Sequence, residues 1–191
     1  VAQRLRGRVG DHLRGVAPEE GAMRALLVDG YNLVYAHPGL SSMARRDQDS
    51  AREGLLKELS PLASPDRYDL VMVVFDAAMS GNPEPVVEDR AGMTVVYTRR
   101  SQSADSFIES AARHLVPEMD VVVATSDRML FNLVSGFGAR GISGESLLGA
   151  AREALTETRE ELKRIAGRGR NPLEENVSDE VRNLLDRMRY E

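Results

Sequence analysis

Four short runs in this chain are apolar almost throughout: Ala25 to Val28, Leu70 to Phe75, Met93 to Thr98, and DVVVATS at 120–126. A strand with one wet face alternates apolar and polar residues, whereas a strand covered on both faces does not. Between the runs, apolar residues recur at helical spacing. Ala51, Leu55, Leu56 and Leu59 mark one helix, expected over Asp47 to Leu62. Phe107, Ile108, Ala111, Ala112 and Leu115 mark another, which Ser103 can cap. Buried strands separated by helices give an α/β fold: a three-layer α/β/α sandwich around a central, mostly parallel sheet.

The remaining elements follow the same alternation. The first strand is expected over Arg24 to Asp29, a short helix over DRMLFNLVSG, and a fifth strand at ARGIS. A long helix is expected from Gly144 to about Ala166, with Leu148, Ala151, Leu155, Leu162 and Ile165 along its packed face. GRGRNPLEEN interrupts it, and Ser178 to Met188 reads as a final amphipathic helix, so C-terminal helices are expected to pack on the domain. The segment AMSGNPEPVVEDRAG, with two prolines and two glycines, reads as an irregular loop. Residues 1–22 carry four arginines and no apolar period. They are expected to be a flexible extension or an RNA-contacting arm ahead of a domain over 23–191, with Met23 a candidate start.

Composition narrows the function. With 42% hydrophobic and 29% charged residues in 191, the chain suits one ordinary globular domain. It has no cysteine, which removes disulfides and thiolate metal sites and makes a reducing cytoplasm the expected location. No apolar run approaches the ~18 residues that cross a bilayer, and the arginine-rich opening lacks the apolar core of a secretory signal. No membrane partner and no organic cofactor are expected. The formal net charge is −5, unusual for a protein that grips nucleic acid unaided.

In open parallel sheets, ligands bind beyond the carboxyl ends of the strands, where the strand order reverses. Asp29, Asp76 and the Thr125-Ser126-Asp127 group end three of the strands, and Asp105 opens a helix with Glu109 one turn on. Each acid also has an ordinary structural use: Asp29 with Gly30 in a turn, Asp105 against the helix dipole, Asp127 as a cap. Asn32 could likewise brace the turn. Together they are harder to explain, because carboxylates about 4 Å apart repel by roughly 4 kcal/mol at an effective dielectric near 20. A divalent cation relieves that repulsion, and an all-oxygen ligand set favours Mg²⁺ or Mn²⁺. His12, His37 and His114 match no zinc spacing, and no glycine-rich phosphate loop is present. Such an ion on this sheet suits phosphoryl chemistry. Arg99, Arg100 and Arg128 flank the same rim and could meet phosphates, as could Ser126. Tyr31 and Tyr97 could stack on a base or simply be buried.

The motifs LLVDGYNLV, VMVVFDA, SADSFIESAARHL, VVVATSD and GFGARGISGESLL occur in an order that resembles the YacP-like NYN-domain ribonucleases, relatives of the PIN nucleases. The resemblance covers about Met23 to Met188. It implies a PIN-like fold and a metal-dependent endoribonuclease. By position, Asp29 would be the central metal ligand, Asp105 the second, and Asp127 the third, directly or through water. Asn32 would orient the metal or the substrate, and Glu109 matches an acidic position. One departure is Ser106, where relatives often have an acid, which removes one carboxylate from a second metal position. Relatives that act on messenger RNA at the ribosome make RNA, and messenger RNA with the ribosome in particular, the implied partners.

Three alternatives stand beside this reading. One is an RNA- or ribosome-binding module of the same fold without turnover, and another a DNA-directed nuclease. The third, a phosphoacceptor signalling domain, needs a lysine at the end of its last strand, and ARGIS has none.

Overall fold

The computed structural model describes residues 23–76 and 84–168, with side chains through residue 166. Among these residues the chain forms strands β1 (Arg24–Asp29), β2 (Leu70–Phe75), β3 (Val86–Arg90), β4 (Met93–Tyr97), β5 (Asp120–Ala124) and β6 (Arg140–Ile142). The helices are α1 (Gly30–Ala36), α2 (Pro38–Ala44), α3 (Gln48–Leu59), α4 (Ala104–Leu115), α5 (Arg128–Gly136) and α6 (Gly144–Arg168). The sheet order is β3-β4-β2-β1-β5-β6. Every neighbouring pair is parallel except β3 with β4. This is the mostly parallel α/β sheet expected.

Alternation along the strands sorts the layers. Leu26 and Val28 face α1, α2, α3 and the start of α6, while Ala25 and Leu27 face α4 and α5. All four are fully buried. Burying each leucine contributes roughly 1.5–3 kcal/mol. The two buried faces of β1 are why its sequence is apolar without a period.

Four expectations are corrected. The segment before β4 is no irregular loop throughout: Val86–Arg90 is an edge strand, joined to β4 by Ala91 and Gly92, both at positive φ (54° and 76°). That is the backbone of a tight hairpin turn. The stretch after Asp29 is helical rather than a simple glycine turn. Asp29 caps α1, and His37 caps α2 by accepting from the Leu40 N–H, with Pro38 opening the helix. The helix expected over Asp47 to Leu62 ends at Leu59, because Pro61 cannot continue it and a 3-10 turn over Ser60–Leu62 follows.

The fourth correction concerns α6. Leu147, Leu148, Ala151 and Ala154 are buried, but Leu155, Leu162 and Ile165, assigned to the same packed face, are exposed. The chain divides there into two compact units, Val1–Ala154 and Leu155–Glu191. The expected helix at Ser178 to Met188 and the extension at 1–22 lie outside the described residues. Among the described residues no helix is long and apolar enough to cross a membrane.

Candidate active site

The chain leaves β1 for β2 and β4 on one side, then returns to β5 on the other. The order therefore reverses between β1 and β5, and the crevice of the fold opens at their carboxyl ends. Asp29 ends β1 there. Alternation places it on the same side as Ala25 and Leu27, towards α4. Ala104, Ile108 and Ala112 seat α4 on that face, which delivers Asp105, in its first turn, to the same rim. Ser103 fixes where α4 begins by accepting from the Ser106 N–H at 3.2 Å.

Asp29 is 7% exposed and accepts from the Asn32 N–H at 3.2 Å. Asp29 and Asp105 lie close enough for each carboxyl to act on the titration of the other. Burial lifts the pKa of Asp29 to about 6; the Asn32 N–H opposes this, and the charges of Asp105 and Asp127 add to it. Asp105 is also raised, first by burial and then by the charge of Asp127, with Asp29 opposing and Asp76 adding.

Asp127 serves two ends. Its Oδ1 accepts from the Met129 and Leu130 N–H groups at 2.6 and 3.2 Å, capping α5. Its charge also reaches both Asp29 and Asp105. Its own N–H donates to the Thr125 hydroxyl at 3.0 Å. Asn32 closes the crevice: its Oδ1 accepts from the Ser126 N–H at 2.8 Å, tying the segment after β1 to the end of β5.

The structure thus brings together Asp29, Asp105, Asp127, Asn32 and Ser126. Glu109 is engaged elsewhere, accepting from Arg113 at 2.8 Å across one helical turn. The further acid that acts on Asp105 is Asp76, just past the end of β2, the strand beside β1. Its position at a neighbouring strand end was the available signal. Arg99 and Arg100 are exposed between β4 and α4, and Arg128 is exposed at the start of α5.

The donor set is one of carboxylate oxygens, which suits a hard divalent cation. Among the described residues, no three His, Asp or Glu side chains are arranged to hold an ion directly. Mg²⁺ commonly takes one or two carboxylates and keeps several waters, so the neighbouring carboxyls of Asp29 and Asp105 fit it, with Asp127 adding charge.

A mostly parallel sheet with acids gathered where its strand order reverses defines an α/β domain of the NYN class, a class of nucleases. The YacP-like NYN domain matches residues 26–190, and the chain belongs to that family. It is similar to the uncharacterized protein YacP of Bacillus subtilis (strain 168), at 31% identity over 160 residues, 83% of this chain and 89% of YacP. A crystal structure of Rae1 (YacP) from Bacillus subtilis superposes with a TM-score of 0.64 at 27% identity, covering 87% of this chain and 95% of that one. A second crystal structure, of a single-residue mutant of the same Rae1, gives 0.62 at 27% identity, covering 80% and 89%.

Proposed function

We propose that this chain is an endoribonuclease that hydrolyses RNA phosphodiester bonds with Mg²⁺ or Mn²⁺, and that its RNA is messenger RNA met on the ribosome. The observation that carries the reading is the convergence of Asp29 and Asp105, each acting on the other and both acted on by Asp127, at the crevice of the fold. Asp29 and Asp105 would hold the ion. When bound, such an ion activates water and offsets the negative charge that builds on the phosphodiester. The chain's own residues set the stage for it. Asp29, with its carboxyl titrating at about 6, is ionised at neutral pH, and so offers a carboxylate beside that of Asp105. Asn32 holds the end of β5 against α1, so Ser126 and Asp127 keep their distance from Asp29. Arg99, Arg100 and Arg128 lie exposed where they can meet flanking phosphates.

Net charge supports the ribosome as partner. At −5, the chain has little general attraction for phosphates, so a second surface must supply affinity. Weak, salt-sensitive binding to free RNA is the expected behaviour. The test is cleavage of RNA in Mg²⁺ or Mn²⁺ by wild type, Asp29→Asn and Asp105→Asn, with EDTA as control. Loss in both variants supports the site; wild-type rates in both, with the fold intact, refute it.

One observation favours a second reading, a binding module without turnover. Ser106 replaces an acid, and its N–H and hydroxyl are both engaged with Ser103 in capping α4. EDTA-insensitive RNA binding without cleavage by the wild type would favour that reading.

A further inference from the structure

Across the carboxyl edge of the sheet from Asp105, four aromatic rings form a continuous row. Tyr35 stacks on Tyr31 (centroids 6.0 Å, interplanar 24°), Tyr31 meets the edge of Phe75 (5.2 Å, 68°), and Phe75 stacks on Tyr97 (5.8 Å, 21°). Arg52 locks the row. Its Nη1 donates to the Tyr31 hydroxyl at 2.6 Å, and its guanidinium lies 5.5 Å from the centre of the Tyr97 ring. Tyr31 is two residues from Asp29, Phe75 is next to Asp76, and Phe75 and Tyr97 end their strands at the same carboxyl edge, the row lying on the α1–α3 side of the sheet and Asp29 towards α4.

The inner rings are accounted for by packing: Phe75 is fully buried, and Tyr31 and Tyr97 are half-buried. Tyr35 is different. It lies one turn beyond Tyr31 on α1 and is 55% exposed. Among the described residues the ring it stacks on is that of Tyr31. A large ring held nearly parallel to a neighbour and more than half exposed has the form of a stacking platform. The rise of α1 puts it about 9 Å along the helix from the Asp29 cap, which is within the reach of one strand crossing both.

We propose that Tyr35, backed by Tyr31, is a base-stacking subsite for a nucleotide adjoining the cleaved phosphodiester of single-stranded RNA. This rests on the nuclease reading above. Aromatic stacking is tolerant of base identity, so the subsite orders the strand over Asp29 without choosing a sequence. It also supplies affinity that needs no positive charge, which suits a chain of net −5.

The chain contains no tryptophan, so Tyr35→Trp introduces a single fluorescent reporter at the platform. The probe is a short oligoadenylate RNA, compared with an abasic strand of the same length, both titrated in EDTA to prevent cleavage. Quenching of the tryptophan by oligoadenylate and not by the abasic strand is expected. In otherwise wild-type protein, Tyr35→Ala is expected to weaken oligoadenylate binding about five- to hundredfold, with Tyr35→Phe restoring it. Equal quenching by both strands, or unchanged affinity in Tyr35→Ala, overturns the subsite while leaving the nuclease reading intact. Wild-type protein that neither binds nor cleaves RNA overturns both. Melting temperature controls for folding, and at this exposed position it should be unchanged.

Discussion

Asn32 and Ser126 are 94 residues apart in the chain and joined by a hydrogen bond of 2.8 Å. The bond crosses the point where the sheet reverses its order, with Asp29 three residues before one end and Asp127 next to the other. Asn32→Ala removes the acceptor. The expected cost in stability is about 0.5–1.5 kcal/mol, the net worth of one such bond. The expected loss of cleavage is larger, because Ser126 and Asp127 are then free to drift from Asp29. Thermal melts and cleavage rates on the same preparations check this. Activity that falls only as far as stability does would reduce Asn32 to a brace.

Asp29 predicts how stability depends on pH. Its carboxyl titrates at about 6 when folded, against 3.8 for an ordinary aspartate. Between those values the folded chain binds more protons than the unfolded one, so stability falls as pH rises from about 4 to about 6 and then levels. The shift corresponds to about 1–3 kcal/mol without divalent ions. Asp29→Asn keeps an oxygen to accept from the Asn32 N–H, and asparagine caps as well as aspartate. It should therefore be more stable than wild type at pH 8 in EDTA, and lack most of this pH dependence, while losing cleavage. Urea titrations at pH 5 and pH 8 measure it. Wild-type stability that rises over this range would contradict the sign.

The gains and gaps of sequence reading have physical causes. β1, β2, β4 and β5 were legible because burial on both faces demands unbroken apolar runs. β3 was hidden because it is an edge strand, VVEDR, whose charged residues face water, and because Ala91 occupies a positive-φ turn position where asparagine or glycine would have signalled it. α1 was hidden because Asp29 ends a strand and caps a helix with no residue between. Asp29, Asp105 and Asp127 were legible as candidates because strand ends and helix starts can be read from sequence. The distinction between Glu109 and Asp76 was not. Helical spacing that aligns Glu109 with Asp105 aligns it equally with Arg113, and only coordinates show which neighbour it takes. The row from Tyr35 to Tyr97 gathers three separate elements, so no local pattern contained it.

Gly30 has a packing reason to be glycine. A Cβ there would lie 2.4 Å from a Phe75 ring carbon, and that ring is fully buried between Tyr31 and Tyr97. It has nowhere to retreat. Gly30→Ala should cost about 1–3 kcal/mol by overpacking and disturb the first turn of α1, where Asn32 sits. Phe75→Leu in the same chain should recover part of the loss. Chemical denaturation of the two single variants and the double variant tests this, and additive losses would contradict a direct clash.

Metal binding separates the acids by role. An ion that binds only the folded chain stabilises it by RT ln(1 + [L]/Kd), about 2.7 kcal/mol at a hundred times Kd, or roughly 5–10 °C for a chain of this size. Mn²⁺ should therefore raise the melting temperature of wild type at pH 8. The rise should shrink as pH drops through about 6, because the ion and the Asp29 proton compete for the same carboxylates. Asp29→Asn and Asp105→Asn should abolish the rise. Glu109→Gln should keep it, since its carboxylate is committed to Arg113, an exposed pair worth about 0.3–0.5 kcal/mol. Thermal melts with and without Mn²⁺ across pH 5 to 8 read all of this. A shift that survives in Asp105→Asn but disappears in Glu109→Gln would move the ion one turn along α4 and require the site to be redrawn.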